Sequence, residues 1–203
     1  MTDMLYHKII VIGSSGCGKT SIIKRYTGSP FSNNYKATIG VDFVEVSVEV
    51  DDQQVHLQLW DIAGQERYGL MKTLYYKKSS AAIVVFDITR KNTFEEAKKW
   101  RDDVVEKVAL SNGVPVPIML LANKCDLKTQ AIPDQEIEEF STTNEFFAWF
   151  KTSAKENLNI SNAMTTLAKH IVKTQVPEPR SEGFHLVDPP QRIKNQRKGG
   201  CCN

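Results

Sequence analysis

Residues 8–27 read KIIVIGSSGCGKTSIIKRYT, and the fold follows from how this stretch changes character. Lys8 to Ile12 is a short apolar, β-branched run of strand length, while Ile22, Ile23 and Tyr26 recur at helical spacing. Between them, Gly13-Ser14-Ser15-Gly16-Cys17-Gly18-Lys19-Thr20 satisfies G-x-x-x-x-G-K-[ST] in the strand-to-helix context that gives the pattern meaning. The glycines let successive backbone N–H groups turn inward on a phosphate chain, and the following helix points its positive end at the anion. Ser15, Gly16, Cys17, Gly18, Lys19, Thr20 and Ser21 are therefore the candidate phosphate cradle, with Lys19 reaching the β- and γ-phosphates and the Thr20 hydroxyl able to ligate Mg²⁺. The plainer reading, a glycine turn before an amphipathic helix, explains neither the lysine nor the hydroxyl that follows it.

The chain has 203 residues, enough for one domain and a tail, with 41% hydrophobic and 25% charged residues. No apolar stretch approaches the roughly 18 residues of a membrane span, and MTDMLYHK at the start has no signal-peptide core. The expected compartment is the cytosol, where thiols stay reduced. The four cysteines, Cys17, Cys125, Cys201 and Cys202, show no zinc spacing. Residues 175–203 carry five Lys/Arg against three Asp/Glu, which leaves 21 of each in residues 1–174. A neutral body speaks against a nucleic-acid footprint. Four of the eight prolines also lie beyond residue 175, so 1–174 is expected to be the domain and 175–203 a disordered tail.

Within the body, strand and helix alternate, which implies an α/β fold with a mostly parallel sheet covered by helices on both faces. Val41 to Val50 and Val55 to Asp61 alternate around Asp51-Asp52-Gln53-Gln54, a hairpin that adds one antiparallel strand at the sheet edge. AAIVVFD at 81–87 and VPIMLL at 116–121 read as buried central strands, and FFAWFK at 146–151 as the last of six. Helices are expected at 93–110, capped by Asn92 or Thr93, at 134–145 and at 157–174. Ligands of such sheets bind at the carboxyl ends of the strands.

Ala122-Asn123-Lys124-Cys125-Asp126 follows one of those strands. A carboxylate such as Asp126 can accept from both the N1–H and the exocyclic amine of guanine, whereas adenine offers an acceptor in that place. Taken alone, Asn-Lys-x-Asp is as readily a polar turn; its order and spacing after the phosphate loop favour a base site of Asn123, Lys124 and Asp126. Thr152-Ser153-Ala154-Lys155, after the last strand, could aim backbone N–H groups at guanine O6, with Ser153, Ala154 and Lys155 as the candidates, and Phe31 could lie against the base or simply pack. Trp60-Asp61-Ile62-Ala63-Gly64-Gln65 ends the hairpin. There Asp61 can hold Mg²⁺ through water, the Gly64 N–H can reach the γ-phosphate, and Gln65 can orient an attacking water. Thr38 would add a second hydroxyl to the metal only with γ-phosphate present, coupling a loop to the nucleotide.

GSSGCGKT, ATIGVDF, LQLWDIAGQER, NKCD and TSAK, in that order over about residues 7–174, resemble the Rab family of membrane-traffic GTPases within the Ras superfamily. SIIKRY, Ile62 where most members have Thr, and NGVPVPIMLLANKCD are similar to the branch serving lysosome-related organelles and phagosomes. The resemblance implies the small-GTPase version of the P-loop NTPase fold and a switch with GTP or GDP and Mg²⁺ as ligands. It also implies that GTP is hydrolysed slowly unless an activating protein helps, with Gln65, Lys19 and Gly64 as catalytic residues and Tyr35 joining the nucleotide contacts. It further implies switch segments near 31–43 and 61–77, an aromatic triad of Phe43, Trp60 and Tyr75 read by effectors, and a monomer served by exchange factor, escort protein and dissociation inhibitor. Paired Cys201 and Cys202 are then prenylation sites that place the chain on the cytoplasmic face of intracellular membranes, phagosomal, lysosome-related or endosomal, with a cytosolic pool. Lys77-Lys78 and Ser14 depart from the common pattern. A nucleotide-locked interaction module would need a damaged catalytic set, which is absent, and a metabolic kinase or ATPase would not need NKCD.

Overall fold

The computed structural model describes residues 6–34, 36–65, 72–110 and 113–174. Six strands form one sheet: β1 (Tyr6–Ile12), β2 (Val41–Val50), β3 (Gln53–Ile62), β4 (Ala81–Asp87), β5 (Ile118–Asn123) and β6 (Ala148–Thr152), in the order β2-β3-β1-β4-β5-β6. Among the described residues only the β2–β3 strand pair is antiparallel, and β2 and β6 are the two edges of the sheet. Asp42, Glu45 and Glu49 stand exposed along β2, charges that discourage further strand addition.

Alternation along the strands divides the core in two. Ile9 and Val11 face α1 (Lys19–Tyr26) and α5 (Ile160–Thr174), packing with Ile22, Leu167 and Ile171. Ile10 and Ile12 face the other way, toward Tyr76 of α2 (Lys72–Tyr76), Phe94 and Trp100 of α3 (Lys91–Lys107), and Ile137 of α4 (Asp134–Thr143). Every residue of β4 and β5 is buried, as continuous apolar runs in a doubly covered sheet should be. No helix among the described residues is long and apolar enough to cross a membrane.

Several boundaries differ from the sequence reading, each for a local reason. The hairpin turn is two residues, not four: Asp51 and Asp52 take φ of 49° and 63°, the left-handed pair that matches strand twist, and Gln53 and Gln54 already pair with Val50 and Glu49. Helix α3 starts at Lys91, with Arg90 in the cap position and neither Asn92 nor Thr93 capping it. The Thr93 hydroxyl instead lies inside the first turn, between the Arg90 carbonyl (2.8 Å) and the Asp87 carbonyl (3.1 Å), and accepts the Asp87 N–H at 3.0 Å. The same helix stops at Lys107 because Val108 is extended and Ala109 bridges to Pro115. Strand β5 begins after Pro117, which has no N–H to give a ladder. Helix α5 begins only at Ile160, since Asn157 and Asn159 hold φ of 56° and 57°. The short α2 was not foreseen.

Leu167→Ala removes a fully buried side chain from α5 and should lower unfolding free energy by about 2–5 kcal/mol in urea titration. Val172→Ala, on the same helix but 39% exposed, should cost less than about 1 kcal/mol. Equal losses would contradict the assigned helix face.

Candidate functional site

The loops that leave the carboxyl ends of β1, β3, β5 and β6 meet over one end of the sheet. At its centre α1 opens on Gly18, with no side-chain cap and no acidic residue in its first turn, so the helix presents its positive end bare. Lys19 is 6% exposed and its Nζ donates to the carbonyls of Gly13 (2.9 Å) and Ser14 (3.3 Å). An ammonium has three donors, and the third remains for an anion in the loop. The Cys17 side chain is fully buried in the core and burial pushes its thiol up, so it serves the loop through its backbone alone. Ser14 is buried and its hydroxyl donates to Glu96 on α3.

Beside the loop, three oxygens from three elements converge. Thr20 Oγ1 on α1 lies 2.5 Å from Asp61 Oδ2 and 2.8 Å from Thr38 Oγ1, while Thr38 lies 3.4 Å from the same carboxylate oxygen. Asp61 is 4% exposed, and its Oδ1 is buried without a hydrogen-bond partner among the described residues. Burial pushes the carboxyl up, against the opposing pull of the Thr20 bond, Lys19 and the Thr38 bond. Two hydroxyls and a carboxylate with an orphaned oxygen fit Mg²⁺, which takes one or two carboxylates and completes its shell with water and phosphate. The same need for outside oxygens explains why no cluster of three His, Cys, Asp or Glu suited to a metal occurs among the described residues. A cleft of about 250 Å³ opens next to this point, lined in part by Lys24, Asp42, Phe43 and Leu59.

On the other side of the loop stands Asn123, 1% exposed. Its Nδ2 donates to the Cys17 carbonyl at 2.8 Å, and its Oδ1 accepts from Thr152 Oγ1 and the Ala154 N–H, both at 3.3 Å. Gly18 permits this: at its φ of 101° a Cβ would fall 2.2 Å from Asn123 Nδ2. The Ala154 N–H, expected to face a base, is thus directed at Asn123. Asp126 is held by Ser153, whose Oγ donates to its Oδ1 at 2.6 Å, and Lys155 lies exposed 3.7 Å from Glu156.

Asp87 ends β4 with 2% exposure. Its Oδ2 receives Lys124 Nζ at 2.7 Å and Arg90 Nε at 3.0 Å, and its Oδ1 receives Thr89. Burial pushes this carboxyl up, but the bonds from Lys124 and Thr89 outweigh it and hold it below the usual range. Sequence reasoning missed Asp87 and Arg90, along with the bracing role of Asn123. One signal was available, an acidic residue closing an otherwise wholly apolar strand, because such a charge must be paired.

Gly64 presses on the phosphate loop so closely that a Cβ would come within 2.5 Å of the Ser15 nitrogen. Gln65 is exposed beside it, Ser21 is half-buried, and Phe31 is 37% exposed on the segment after α1. Tyr35, Cys201 and Cys202 lie outside the described residues. Of the expected triad, Phe43 and Trp60 stack with centroids 5.5 Å apart, Phe43 remaining 56% exposed. Trp60 and Tyr75 both pack against the core on the α3 side. Lys8 Nζ sits 3.9 Å over the Trp60 ring and donates to the Lys77 carbonyl; burial pulls it down to about 8.

Comparison with known proteins agrees with this geometry. A sequence model described as Ras family matches residues 8–173. "Ras-related protein Rab-32" of Sus scrofa is 45% identical over 199 residues, covering 96% of this chain and 88% of the relative. "Ras-related protein Rab-32A" of Dictyostelium discoideum is 48% identical over 174 residues, covering 84% and 80%, and "Ras-related protein Rab-7L1" of Homo sapiens 44% over 172, covering 84% and 85%. The chain therefore belongs to the Ras family, among its Rab members, and is a small GTPase that hydrolyses GTP.

Proposed function

We propose that the chain is a GTP-dependent switch of membrane traffic whose two states differ in the loops around Thr38 and Gly64. The observation that carries this reading is the convergence of Thr20, Thr38 and Asp61 on one point beside the phosphate loop. Thr20 and Thr38 would hold Mg²⁺ directly and Asp61 through water. The ion, when bound, neutralises phosphate charge. Thr38 reaches this point from a loop, so whether it stays there depends on what the γ-phosphate side offers it.

The chain's own groups divide the remaining work. Lys19 and the N–H groups of Ser15 to Ser21 cradle the phosphates, and Gly64 lies against the loop where its N–H can meet the γ-phosphate. Gln65, exposed beside that point, orients the attacking water. Asp126, held in place by Ser153, accepts from guanine, with Lys124 packed alongside and Lys155 flanking the base together with Phe31. Phe43, Trp60 and Tyr75 form the face that effectors read in the GTP state, and the stack of Phe43 on Trp60 supports that assignment. Residues 1–174 carry these functions. The tail, 175–203, anchors the chain through geranylgeranyl groups on Cys201 and Cys202, and its apolar Phe184-His185-Leu186-Val187 segment is a handle for the escort or dissociation-inhibitor protein. The membranes concerned are phagosomal, lysosome-related or endosomal, reached from their cytoplasmic face, with a cytosolic pool of the chain.

Asp126→Asn sets a donor against guanine where a carboxylate accepted. It should reduce discrimination for GTP over xanthosine triphosphate by up to about 10⁴-fold in competition binding; an unchanged ratio would refute the base site. Unaided turnover should be about 10⁻⁴ to 10⁻³ s⁻¹ in a single-turnover assay, as for a GTPase without an arginine finger. Gln65→Leu should slow it further, and Thr20→Asn should weaken Mg²⁺-dependent GTP binding; several turnovers per second by the purified chain would overturn this picture. Mass spectrometry of protein from native membranes should find two prenyl groups on the C-terminal peptide, since one lipid alone holds a membrane only reversibly. A Cys201→Ser/Cys202→Ser chain should be cytosolic, and its persistence on membranes would mean that something else anchors it.

A further inference from the structure

The guanidinium of Arg90 spans two pieces of the site. Its Nε is 3.0 Å from Asp87 Oδ2, and its Nη2 donates to the Ser15 carbonyl at 3.1 Å. The planar fork also lies over Gly16, where a Cβ would be 3.7 Å from Nη2. Asp87 is buried and also takes Lys124 at 2.7 Å, so the carboxylate that aims the Arg90 fork at the phosphate loop is itself fixed by the lysine of the base motif.

The Ser15 carbonyl and the Gly16 N–H belong to one peptide unit. A cationic donor on the carbonyl draws electron density toward oxygen and makes the N–H on the other side of that peptide a stronger donor. The Gly16 N–H is one of those that turn toward phosphate in the proposed cradle. From this arrangement we infer that Arg90 is a positioning residue of the nucleotide site: by clamping the Ser15–Gly16 peptide to Asp87, it fixes and polarises the loop and slows nucleotide release. The inference rests on the nucleotide reading of the loop and extends it to a residue outside every motif that identifies the family here. Arginine is required because one group must satisfy Asp87 and Ser15 together. A lysine keeps the charge but lacks the fork.

The test uses the full chain loaded with a fluorescent GDP analogue and chased with excess GDP in Mg²⁺ buffer. Arg90 is 40% exposed, so the bond is partly screened, and Arg90→Ala should release nucleotide about three- to tenfold faster. Arg90→Lys should fall within about twofold of Arg90→Ala, and Lys91→Ala, an exposed neighbour, should match the parent. Phosphorus NMR supplies a readout that a merely stabilising role would leave alone: the β-phosphorus resonance of bound GDP should move in Arg90→Ala and stay in Lys91→Ala. Release unchanged in Arg90→Ala, parental release in Arg90→Lys, or an unmoved resonance would each overturn the inference. A parent chain that binds nucleotide alongside such a result would leave the site itself standing, whereas a parent that takes up none would sink both.

Discussion

The buried amide of Asn123 is the interaction on which the arrangement of this molecule's working end depends. It joins Cys17 in the first loop to Thr152 at the end of the last strand and Ala154 just after it, so the phosphate cradle and the two base-side loops form one object although Asn123 and Cys17 are 106 positions apart in sequence. Without that amide, the Cys17 carbonyl and the Thr152 hydroxyl would lose their partner in a dry setting, at a cost of about 1–3 kcal/mol each. The glycine at position 18 belongs to the same constraint. It is small so that Asn123 can approach, as well as permissive so that the loop can turn.

Two buried aspartates flank that brace and are set to opposite tasks by their neighbours. Asp87 faces Lys124, Arg90 and Thr89 and is held ionised. Asp61 faces hydroxyls, keeps an oxygen unpaired, and is pushed toward the neutral acid by burial. For a carboxyl raised in this way the charged form is a liability that grows as pH rises through its pKa, and a bound cation removes that liability. Conversely, falling pH protonates Asp61 and should loosen a divalent ion there. One acid already has its cations within the chain, and the other has room for one from outside.

Much of this was legible in the sequence because glycine, lysine and hydroxyl spacing in the first loop has few other uses. The apolar runs at 81–87 and 116–121 announced buried strands for the same reason, that a doubly covered sheet tolerates nothing else. What was not legible depends on long-range closure. Thr93 looked like a helix cap, but the end of β4 claimed its hydroxyl and moved the helix start to Lys91. Arg90 and Asp87 carry no motif, and they matter only because α3 folds back past the phosphate loop. Asn123 was identified as part of the base motif, yet its role as a brace could not be read from local spacing.

The central claim is that these loops together select a guanine nucleotide. Calorimetric titration of the nucleotide-free chain with GDP and with ADP, in the presence of Mg²⁺, tests it most directly. Because the base is chosen by hydrogen bonds that leave buried groups unpaired when wrong, GDP should bind at least about 10⁴-fold more tightly than ADP. Comparable affinities for the two would contradict the account.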